Sequence, residues 1–352
     1  MTLAYGVLRD GGVCARVEGR VVDITALDPV FDASSLNGFM ERGPDFWGRT
    51  AERVERGYEL GSAELGMPFD VADYVDFYSS LAHATNVGRI LRPDAEPLRP
   101  NWRHLPVGYH GRAGTVVPSG TPVRRPCGQR RPPGAEAPVF GRSVRLDIEL
   151  EAGFVIGVPS RHGEPVPVER ALDHVFGMVL VNDWSARDIQ AWEYQPLGPF
   201  LAKSFATSVS HWVVPLSELA GRRVPAAPQE PEPLPYLREE EWAFDIPLEV
   251  ELNGTVIARS NTRHLYWSVA QQVAHLTANG ASLRTGDLLA TGTISGPERE
   301  ERGSLLELSW NGEQPIDLAD GSTRTFLEDG DEVVLRGEPL GEVRGRVEPA
   351  RC

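Results

Sequence analysis

Cysteine is scarce in this chain of 352 residues. The three cysteines, Cys14, Cys127 and Cys352, lie far apart, with no pair at metal-ligand spacing and no even number typical of a disulfide framework. We therefore expect no cysteine-based site and a reducing compartment. The N-terminus lacks a basic head followed by an apolar stretch, so we also expect no signal peptide and a cytoplasmic protein.

Long apolar runs are missing, and positive charge is in deficit. The apolar stretch at 176–181 is far shorter than the ~20 residues that a transmembrane helix needs, so we expect no membrane partner. Lys and Arg number 35 against 50 Asp and Glu, which gives a net charge of -15. Because proteins bind nucleic-acid phosphates through Lys and Arg, we expect no nucleic-acid partner. A local cluster of cations could still bind a small anion.

Glycine and proline, by contrast, are abundant, at 36 and 29 residues. Together with many short apolar runs they favour a turn-rich, mainly β (α+β) fold. Hairpin turns at Asp10-Gly11 and Glu18-Gly19, followed by helical spacing over 36–60, predict a small N-terminal β unit. We therefore divide the chain into an N-terminal domain at 1–68 and a larger domain at 69–352.

Within the larger domain, apolar runs predict strands and two segments with helical spacing predict helices. Among the predicted strands are 143–156, 176–183 and 304–310. The predicted helices are 185–192 and 268–279.

Four carboxylates from three separate stretches suit a hard metal ion. They are Asp76, Glu149, Glu151 and Asp183. Glu149 and Glu151 are two residues apart, so a strand would point both side chains to one face. Two neighbouring buried acids repel unless a proton or cation neutralises them, and Mg²⁺ or Ca²⁺ does so most directly. For this pair alone, a solvated strand face is an equally good interpretation.

His83 is a candidate general base, because Asp76, Tyr78 and His83 fall within eight residues. A histidine can accept a proton near neutral pH and works best when a carboxylate orients it. Glu307, in a strand-like apolar run, suits that orienting role. A hydrogen-bonded structural histidine and a solvated acid are the alternatives.

Further polar residues interrupt apolar segments. Arg187 and Gln190 are three apart, so they project from one side of a helix, although a surface arginine is the alternative. Lys203 stands in a Gly/Pro-rich apolar segment and needs an anionic partner unless it extends to solvent. Thr293 lies in a loop of small residues that could bind a carboxylate or be an ordinary turn.

Ordered runs in these segments resemble the fumarylacetoacetate hydrolase family. The runs are DYVDFYSS (73–80), HATNVG (83–88), LPVGYHGR (105–112), NDWSARDIQ (182–190), PLGPFL (196–201), GTISG (292–296) and LELSW (306–310). The resemblance covers 69–336 and, more loosely, the N-terminus. It implies a small SH3-like β-barrel domain followed by a large β-roll domain, and a homodimer.

The resemblance also implies roles for individual residues. Mg²⁺ and/or Ca²⁺ would be held by Asp76, Glu149, Glu151 and Asp183, with Lys203 and Thr207 behind them. His83 would be the base, oriented by Glu307. The residues that would contact the substrate or the leaving group are Tyr78, Arg92, Tyr109, Arg187, Gln190, Tyr194, Lys203 and Thr293. One departure is Ala206, which stands where the family has Gly before Thr207.

The function implied is metal-dependent hydrolysis of a carbon–carbon bond in 4-fumarylacetoacetate, a diketo acid, to fumarate and acetoacetate. This is the last step of tyrosine and phenylalanine catabolism. His83 would take a proton from water, the metal would polarise the diketone, and Arg187, Gln190 and Lys203 would stabilise the developing negative charge. The alternatives are an acylpyruvate hydrolase or another metal-dependent hydrolase, decarboxylase or hydratase of the same superfamily, and a non-catalytic metal-binding β module.

Overall fold

A computed structural model describes residues 2–239 and 242–352. The strands of these residues are β1 (Ala4–Val7), β2 (Val13–Val17), β3 (Arg20–Asp23), β4 (Tyr58–Leu60), β5 (Tyr74–Phe77), β6 (Gly108–His110), β7 (Val116–Pro118), β8 (Val123–Arg124), β9 (Cys127–Arg130), β10 (Val139–Arg142), β11 (Leu146–Asp147), β12 (Leu150–Ile156), β13 (Val175–Asp183), β14 (Ser185–Ala186), β15 (Thr207–Val209), β16 (Val214–Pro215), β17 (Arg223–Pro225), β18 (Trp242–Phe244), β19 (Pro247–Leu252), β20 (Thr255–Asn261), β21 (Leu288–Ala290), β22 (Ile316–Asp317), β23 (Thr323–Arg324), β24 (Glu332–Gly337) and β25 (Gly341–Glu348). The α-helices are α1 (Asn37–Met40), α2 (Pro44–Ala51), α3 (Leu81–Leu91), α4 (Arg187–Glu193), α5 (Leu216–Leu219), α6 (Val269–Thr277) and α7 (Leu305–Leu308). The 3₁₀ turns are Thr25–Leu27, Pro29–Phe31, Val54–Arg56, Ala113–Thr115, Val168–Asp173, Leu201–Lys203, Ala220–Arg222, Pro235–Leu237, Thr262–His264 and Arg299–Glu301.

Most of the longer strands belong to three sheets. The N-terminal sheet is antiparallel, in the order β1-β2-β3-β4. The central sheet has the order β6-β5-β21-β12-β13-β15-β7, with β16 also paired to β13. The third sheet has the order β20-β19-β24-β25-β8. This architecture confirms the expectation of a mainly β fold with α+β character.

The central sheet is buried on both faces, which explains why its long strands are almost continuously apolar. Side chains on a strand alternate between the two faces of a sheet. Accordingly, Val155 and Val181 pack in the same apolar cluster as the N-terminal sheet. Phe154 and Leu180 pack in the cluster that contains the third sheet. The central sheet is therefore the middle layer of the molecule.

Most predicted elements are present with shifted ends. The run 176–183 is β13, and the helix predicted at 268–279 is α6. The helix predicted at 185–192 begins later, as α4, after the short strand β14. The strand predicted over 143–156 is interrupted, because residues 148 and 149 belong to neither β11 nor β12.

The strand predicted at 304–310 is wrong, since this segment contains the helix α7. Ser304 and Glu307 form an S-x-x-E pattern, which is typical of a helix start. The Ser304 side chain accepts a hydrogen bond from the Glu307 backbone N–H at 3.3 Å. The apolar residues on both sides of Glu307 are buried because short helices, as well as strands, can lie in a core.

The sequence patterns do not predict helix α3, although it carries His83. Ser80 begins this helix by accepting a hydrogen bond from the His83 backbone N–H at 3.3 Å. Gly88 lies so close to the following loop that a Cβ atom would come 2.0 Å from the carbonyl oxygen of Pro97. A glycine and polar residues in its interior weaken the helical pattern in the sequence.

Two of the three cysteines pair, although the sequence has no even number of cysteines typical of a disulfide framework. Cys127 and Cys352 form a disulfide, whereas Cys14 is buried and unpaired among the described residues. The reason is non-local: β8 and β25 pair in parallel, with Val123 opposite Val347. The segments that follow the two strands therefore run side by side and bring together cysteines that are 225 residues apart.

The packing of the third sheet against the central sheet can be tested at Gly345. A Cβ atom there would lie 2.4 Å from Cζ2 of Trp184, the fully buried residue after Asp183. We expect Gly345→Ala to lower the free energy of unfolding by about 1–3 kcal/mol, because the core would be overpacked. Gly221→Ala, which meets nothing within 4 Å, is the matched control. Equal urea midpoints for both variants would contradict this interpretation.

Candidate active site

The predicted site residues meet at one end of the central sheet. In β5, Asp76 lies opposite Tyr109 of β6 and beside Ala290 of β21. Asp183 is the last residue of β13 and lies opposite Thr207 of β15. Strand pairing thus brings residues far apart in the chain to one edge.

The four acids form one cluster. Asp76, Glu149, Glu151 and Asp183 each offer a carboxylate oxygen, and these oxygens all lie within 4.8 Å of one another. All four side chains are buried, so the solvated strand face considered for Glu149 and Glu151 is wrong. Glu149 immediately precedes β12 and Glu151 lies within it, and both side chains reach the cluster.

Burial and mutual repulsion dominate the electrostatics of the cluster. Burial, together with the charge of Asp183, raises the pKa of Asp76 well above its usual value. Burial and the charge of Asp76 do the same to the pKa of Glu151. Burial would also raise the pKa of Glu149, but the charges of Lys203 and Arg187 outweigh it and hold this pKa below its usual value. Three acids thus favour protonation while Glu149 stays ionised, since the pKa of Asp183 is also raised by burial.

Two oxygens of the cluster have no hydrogen-bond partner. They are Oδ1 of Asp76 and Oε1 of Glu151, both buried, and within the described residues nothing donates to them. Buried polar atoms are almost always satisfied, so these two oxygens indicate a missing partner. An all-oxygen set of carboxylates fits a hard divalent cation.

Lys203 and Thr207 donate hydrogen bonds to carboxylates of the cluster. The Lys203 ammonium donates to Oδ2 of Asp183 at 2.9 Å and also to Glu149. Thr207 Oγ1 donates to Oδ1 of Asp183 at 2.7 Å, with Ala206 preceding it. Burial lowers the pKa of Lys203, but the neighbouring carboxylates outweigh burial and raise it, so the amine stays charged. The alternative that Lys203 extends to solvent is therefore wrong.

His83 and Glu307 form a buried pair beside the cluster. Nδ1 of His83 lies 2.6 Å from Oε2 of Glu307. Glu307 also accepts hydrogen bonds from Asn86, Ser295 and Ser304, at 2.8–2.9 Å. Burial raises the pKa of Glu307, but the interaction with His83 and the hydrogen bonds from Asn86 and Ser304 outweigh it, and the pKa lies below its usual value. An ionised Glu307 thus fixes the ring with Nδ1–H as donor and leaves Nε2 as a proton acceptor.

Arg187 is a buried residue, not a surface arginine. Its Nε donates to Oδ2 of Asp147 at 2.7 Å and its Nη1 lies 2.8 Å from Oε1 of Glu149. Nη1 also donates to Oε1 of Gln190 at 3.2 Å, so the two residues do face one side of α4.

Asp147 is a site residue that the sequence reasoning missed. It orients Arg187 and accepts the backbone N–H groups of Leu305 and Leu306, at 2.7 and 3.0 Å. The signal was present, since Asp147 continues the two-residue spacing of Glu149 and Glu151. Asn86, Ser295 and Ser304 were missed as well, and of these only Ser304 has a sequence signal, the S-x-x-E pattern with Glu307.

A cavity of about 590 Å³ opens onto the cluster. The predicted residues on its wall are Asp76, Tyr78, His83, Arg92, Tyr109, Glu149, Arg187, Gln190, Tyr194, Lys203 and Thr293. Glu151, Asp183, Thr207 and Glu307 lie fully buried beside these residues. The fold therefore brings every predicted site residue into one neighbourhood.

Several residues on the wall have unused polar groups. Oγ1 of Thr293 and Nε of Arg92 are buried and have no hydrogen-bond partner in the described part of the chain. Tyr109 OH lies 3.5 Å from Asp183, and the Tyr78 ring meets the His83 ring edge-to-face with centroids 5.3 Å apart. These groups can bind a polar substrate beside His83.

Gly292 is a further residue that this geometry requires. It has a φ of +75°, and a Cβ atom would lie 2.2 Å from the carbonyl oxygen of Phe77. Its N–H donates to Oε2 of Glu151 at 3.2 Å. Glycine therefore allows the loop that carries Thr293 to approach Asp76 and Tyr78.

Comparison of the sequence with known proteins gives consistent results. The family model described as fumarylacetoacetate (FAA) hydrolase, C-terminal, matches residues 74–348. Fumarylacetoacetase of Rattus norvegicus is 50% identical over 355 residues, and the match covers 91% of this chain and 85% of that protein. Fumarylacetoacetase of Arabidopsis thaliana is 50% identical over 292 residues, with 81% of this chain and 69% of that protein covered.

Solved structures share the fold at low sequence identity. Fumarylacetoacetate hydrolase from psychrophilic Exiguobacterium antarcticum has a TM-score of 0.65 and 20% identity, with all of both chains covered. Maleylpyruvate hydrolase from Sphingobium sp. SYK-6, solved with manganese(II) and pyruvate, has a TM-score of 0.59 and 16% identity, with 99% of this chain and 100% of that chain covered.

The raised pKa values of the cluster predict proton release on metal binding. At neutral pH the metal-free cluster retains protons on acids such as Glu151, and a divalent ion displaces them, so we expect about one to two protons per ion. The number should fall as the pH is raised, because the acids are then already ionised. Titration of MgCl₂ or CaCl₂ into weakly buffered, chelator-treated protein measures it.

Glu151→Gln should release fewer protons, whereas Glu64→Gln, at a largely exposed surface position, should behave as the unchanged protein. Metal binding without any proton release would contradict this account of the cluster.

Proposed function

This chain belongs to the fumarylacetoacetate hydrolase family, and from that premise we propose how its active site works. It is a hydrolase that cleaves fumarylacetoacetate to fumarate and acetoacetate, a reaction of tyrosine catabolism. The observation that carries the mechanism is the convergence of the acid cluster and the His83–Glu307 pair on one cavity.

We propose that Asp76, Glu149, Glu151 and Asp183 hold a divalent cation, Mg²⁺ or Ca²⁺. When ionised, the four carboxylates outweigh the positive charges of Lys203 and Arg187, and two of their oxygens have no partner among the described residues. The manganese(II) with which the maleylpyruvate hydrolase was solved supports a divalent ion of this chemistry. Such an ion supplies a Lewis acid that polarises the carbonyl oxygens of the diketone.

His83 acts as the general base. Glu307 accepts the Nδ1 proton, so Nε2 is free to take a proton from a water molecule in the cavity. The resulting hydroxide attacks the carbonyl carbon of the fumaryl acyl group, which is released as fumarate. Because Glu307 is itself held by Asn86, Ser295 and Ser304, the ring stays oriented throughout the reaction.

Arg187, Gln190 and Lys203 stabilise the leaving group. Cleavage of the carbon–carbon bond leaves an electron pair that must move onto the neighbouring carbonyl oxygen as an enolate. The proton that His83 took from water balances the step when it is returned to the carbon of the enolate, which gives acetoacetate. Arg187 and Lys203 supply fixed positive charge beside that oxygen, and Asp147 keeps Arg187 from rotating away. The remaining wall residues bind the substrate, and they are Tyr78, Arg92, Tyr109, Tyr194 and Thr293.

We further propose that residues 1–68 form the SH3-like domain and 69–352 the catalytic β-roll. The antiparallel sheet β1-β2-β3-β4 within the first segment supports this division. Met1 and the residues at 240 and 241 lie outside the described residues.

A homodimer is supported by exposed apolar side chains near the cavity mouth. Phe140, Leu197 and Phe200 are 71%, 95% and 71% exposed. Phe140 and Phe200 are both tied to α4: Trp192 Nε1 donates to Gln129, the residue opposite Phe140 in β9, and Glu193 accepts the Phe200 N–H at 2.9 Å. Large exposed apolar groups that cluster in this way are typical of an interface.

We also propose a cytoplasmic location without nucleic-acid or membrane partners, in keeping with the acidic composition. Within the described residues, none of the helices has the length and apolar character that crossing a bilayer demands. In a reducing cytoplasm, Cys127 and Cys352 would be held as thiols.

The roles of His83 and Glu307 predict a specific pattern of loss. We expect His83→Gln to lower kcat by roughly 10²–10⁴-fold, because general-base catalysis is removed. Glu307→Gln should lower kcat within the same range, because the ring loses its orienting charge. Loss of the ultraviolet absorbance of fumarylacetoacetate, with and without chelator, measures the activity.

Both variants should still bind the divalent ion in calorimetry, since neither residue belongs to the carboxylate cluster. An unchanged kcat for His83→Gln would contradict the role of His83 as the base. Full activity of the unchanged enzyme in the presence of chelator would contradict the role of the metal.

The homodimer predicts a mass of about twice 38.6 kDa in light scattering coupled to size exclusion. Joint substitution Phe140→Glu and Phe200→Glu should shift the protein towards the monomer, because charges would enter an apolar contact. Tyr58→Glu, at an exposed aromatic residue of the N-terminal sheet, is the control. A monomeric starting protein would exclude the dimer.

A further inference from the structure

The cavity wall contains more positive charge than the mechanism uses. Besides Arg92, Arg187 and Lys203, it includes Arg130 and Arg145. Neither of these two arginines touches the acid cluster through a hydrogen bond in the described residues. Their surroundings show what they could bind.

Arg145 carries an unpaired charge. Its Nη1 donates to the neutral amide oxygen of Asn311 at 2.8 Å, and its guanidinium lies over the Phe326 ring at 5.6 Å from the centroid. Among residues 2–239 and 242–352, no carboxylate oxygen lies within 4 Å of it. The side chain is only partly exposed, so water compensates its charge incompletely.

Arg130 is also underpaired. Its Nε is buried and has no hydrogen-bond partner in the described chain. A carboxylate oxygen of Asp188 lies 3.8 Å away, beyond hydrogen-bond distance. Asp188 is already occupied, because it accepts hydrogen bonds from Ser143 Oγ at 2.6 Å and from the Val144 N–H at 2.9 Å.

Both arginines are adjacent to the segment that carries Arg187. The Arg187 backbone N–H donates to the carbonyl oxygen of Arg145 at 2.9 Å. Asp188, which Arg130 approaches, is the next residue in the chain. Because Arg187 contacts Glu149 of the cluster at 2.8 Å, the two arginines flank the reacting end of the cavity.

Fumarylacetoacetate carries a carboxylate at each end, so one cavity must bind two negative groups. We propose that Arg130 and Arg145 form a carboxylate subsite that binds one terminal carboxylate of the substrate and selects dicarboxylic over monocarboxylic β-diketo acids. This subsite rests on the function proposed above. A guanidinium binds a carboxylate through two parallel N–H donors, and that ligand would satisfy the free donors of both side chains.

The terminal carboxylates keep their charge while the carbon–carbon bond breaks, so a contact to one of them stabilises bound substrate and transition state equally. Its loss therefore raises KM and leaves kcat nearly unchanged. This pattern differs from that of the catalytic residues, whose loss lowers kcat.

The subsite can be tested with Arg130→Met and Arg145→Leu. We expect each change to raise KM for fumarylacetoacetate by about tenfold, the loss of one charge-assisted contact, with kcat within about threefold of the unchanged enzyme. Arg142→Leu, in the neighbouring strand β10 and 63% exposed, is the matched control and should leave KM within about twofold. Arg145→Lys retains the charge and should recover part of the affinity.

Inhibition by the products identifies the bound end. If the subsite holds the fumaryl carboxylate, Arg145→Leu weakens inhibition by fumarate and leaves acetoacetate unaffected. The opposite pattern assigns the acetoacetyl carboxylate, and either result supports the subsite. A monocarboxylic β-diketo acid should keep its KM in the variants.

Unchanged KM in both variants, or an equal rise of KM for the monocarboxylic acid, would overturn the subsite. A different result would contradict the proposed function: the unchanged enzyme would not hydrolyse fumarylacetoacetate. Thermal melting of each variant shows whether a lost affinity reflects misfolding.

Discussion

Repulsion among four carboxylates buried in one place governs the organisation of this active site. Two unit charges 4 Å apart repel by roughly 4 kcal/mol at an effective dielectric constant of 20. The sheet nevertheless brings Asp76, Glu149, Glu151 and Asp183 together in a buried cluster. Lys203 and Arg187 offset part of this repulsion, and the unsatisfied oxygens show that the protein side chains alone do not complete the compensation.

Glu149 connects the acid cluster to the groups that handle the substrate. It is the one acid of the four whose pKa is lowered, because Lys203 and Arg187 both contact it. Through Arg187 it is joined to Asp147, which in turn accepts the N–H groups at the start of the helix that carries Glu307. Charge balance in the cluster and orientation of His83 therefore depend on the same short stretch of chain.

Much of the site could be predicted from the sequence, because its residues lie in runs that resemble a known family. The spacing and hydrophobic pattern of the residues predicted less of the site. The spacing of Glu149 and Glu151 left burial open, since alternation looks alike on a solvated and a buried strand. The run around Glu307 wrongly predicts a strand because a short buried helix has no amphipathic pattern.

Other features depend on contacts between distant segments, which single-sequence patterns do not contain. The Cys127–Cys352 bond follows from the parallel pairing of β8 and β25. The role of Asp147 follows from the approach of Arg187, 40 residues further along the chain.

The disulfide has a practical consequence for work with this enzyme. Cys127 begins the short strand that ends at Arg130, on the wall of the cavity, and its partner is the residue numbered 352. A tag or fusion partner attached after Cys352 would therefore be tethered through this bond to the strand that carries Arg130. A thiol reductant in the buffer would break this crosslink. Substrate affinities measured with and without reductant would therefore refer to two different forms of the enzyme.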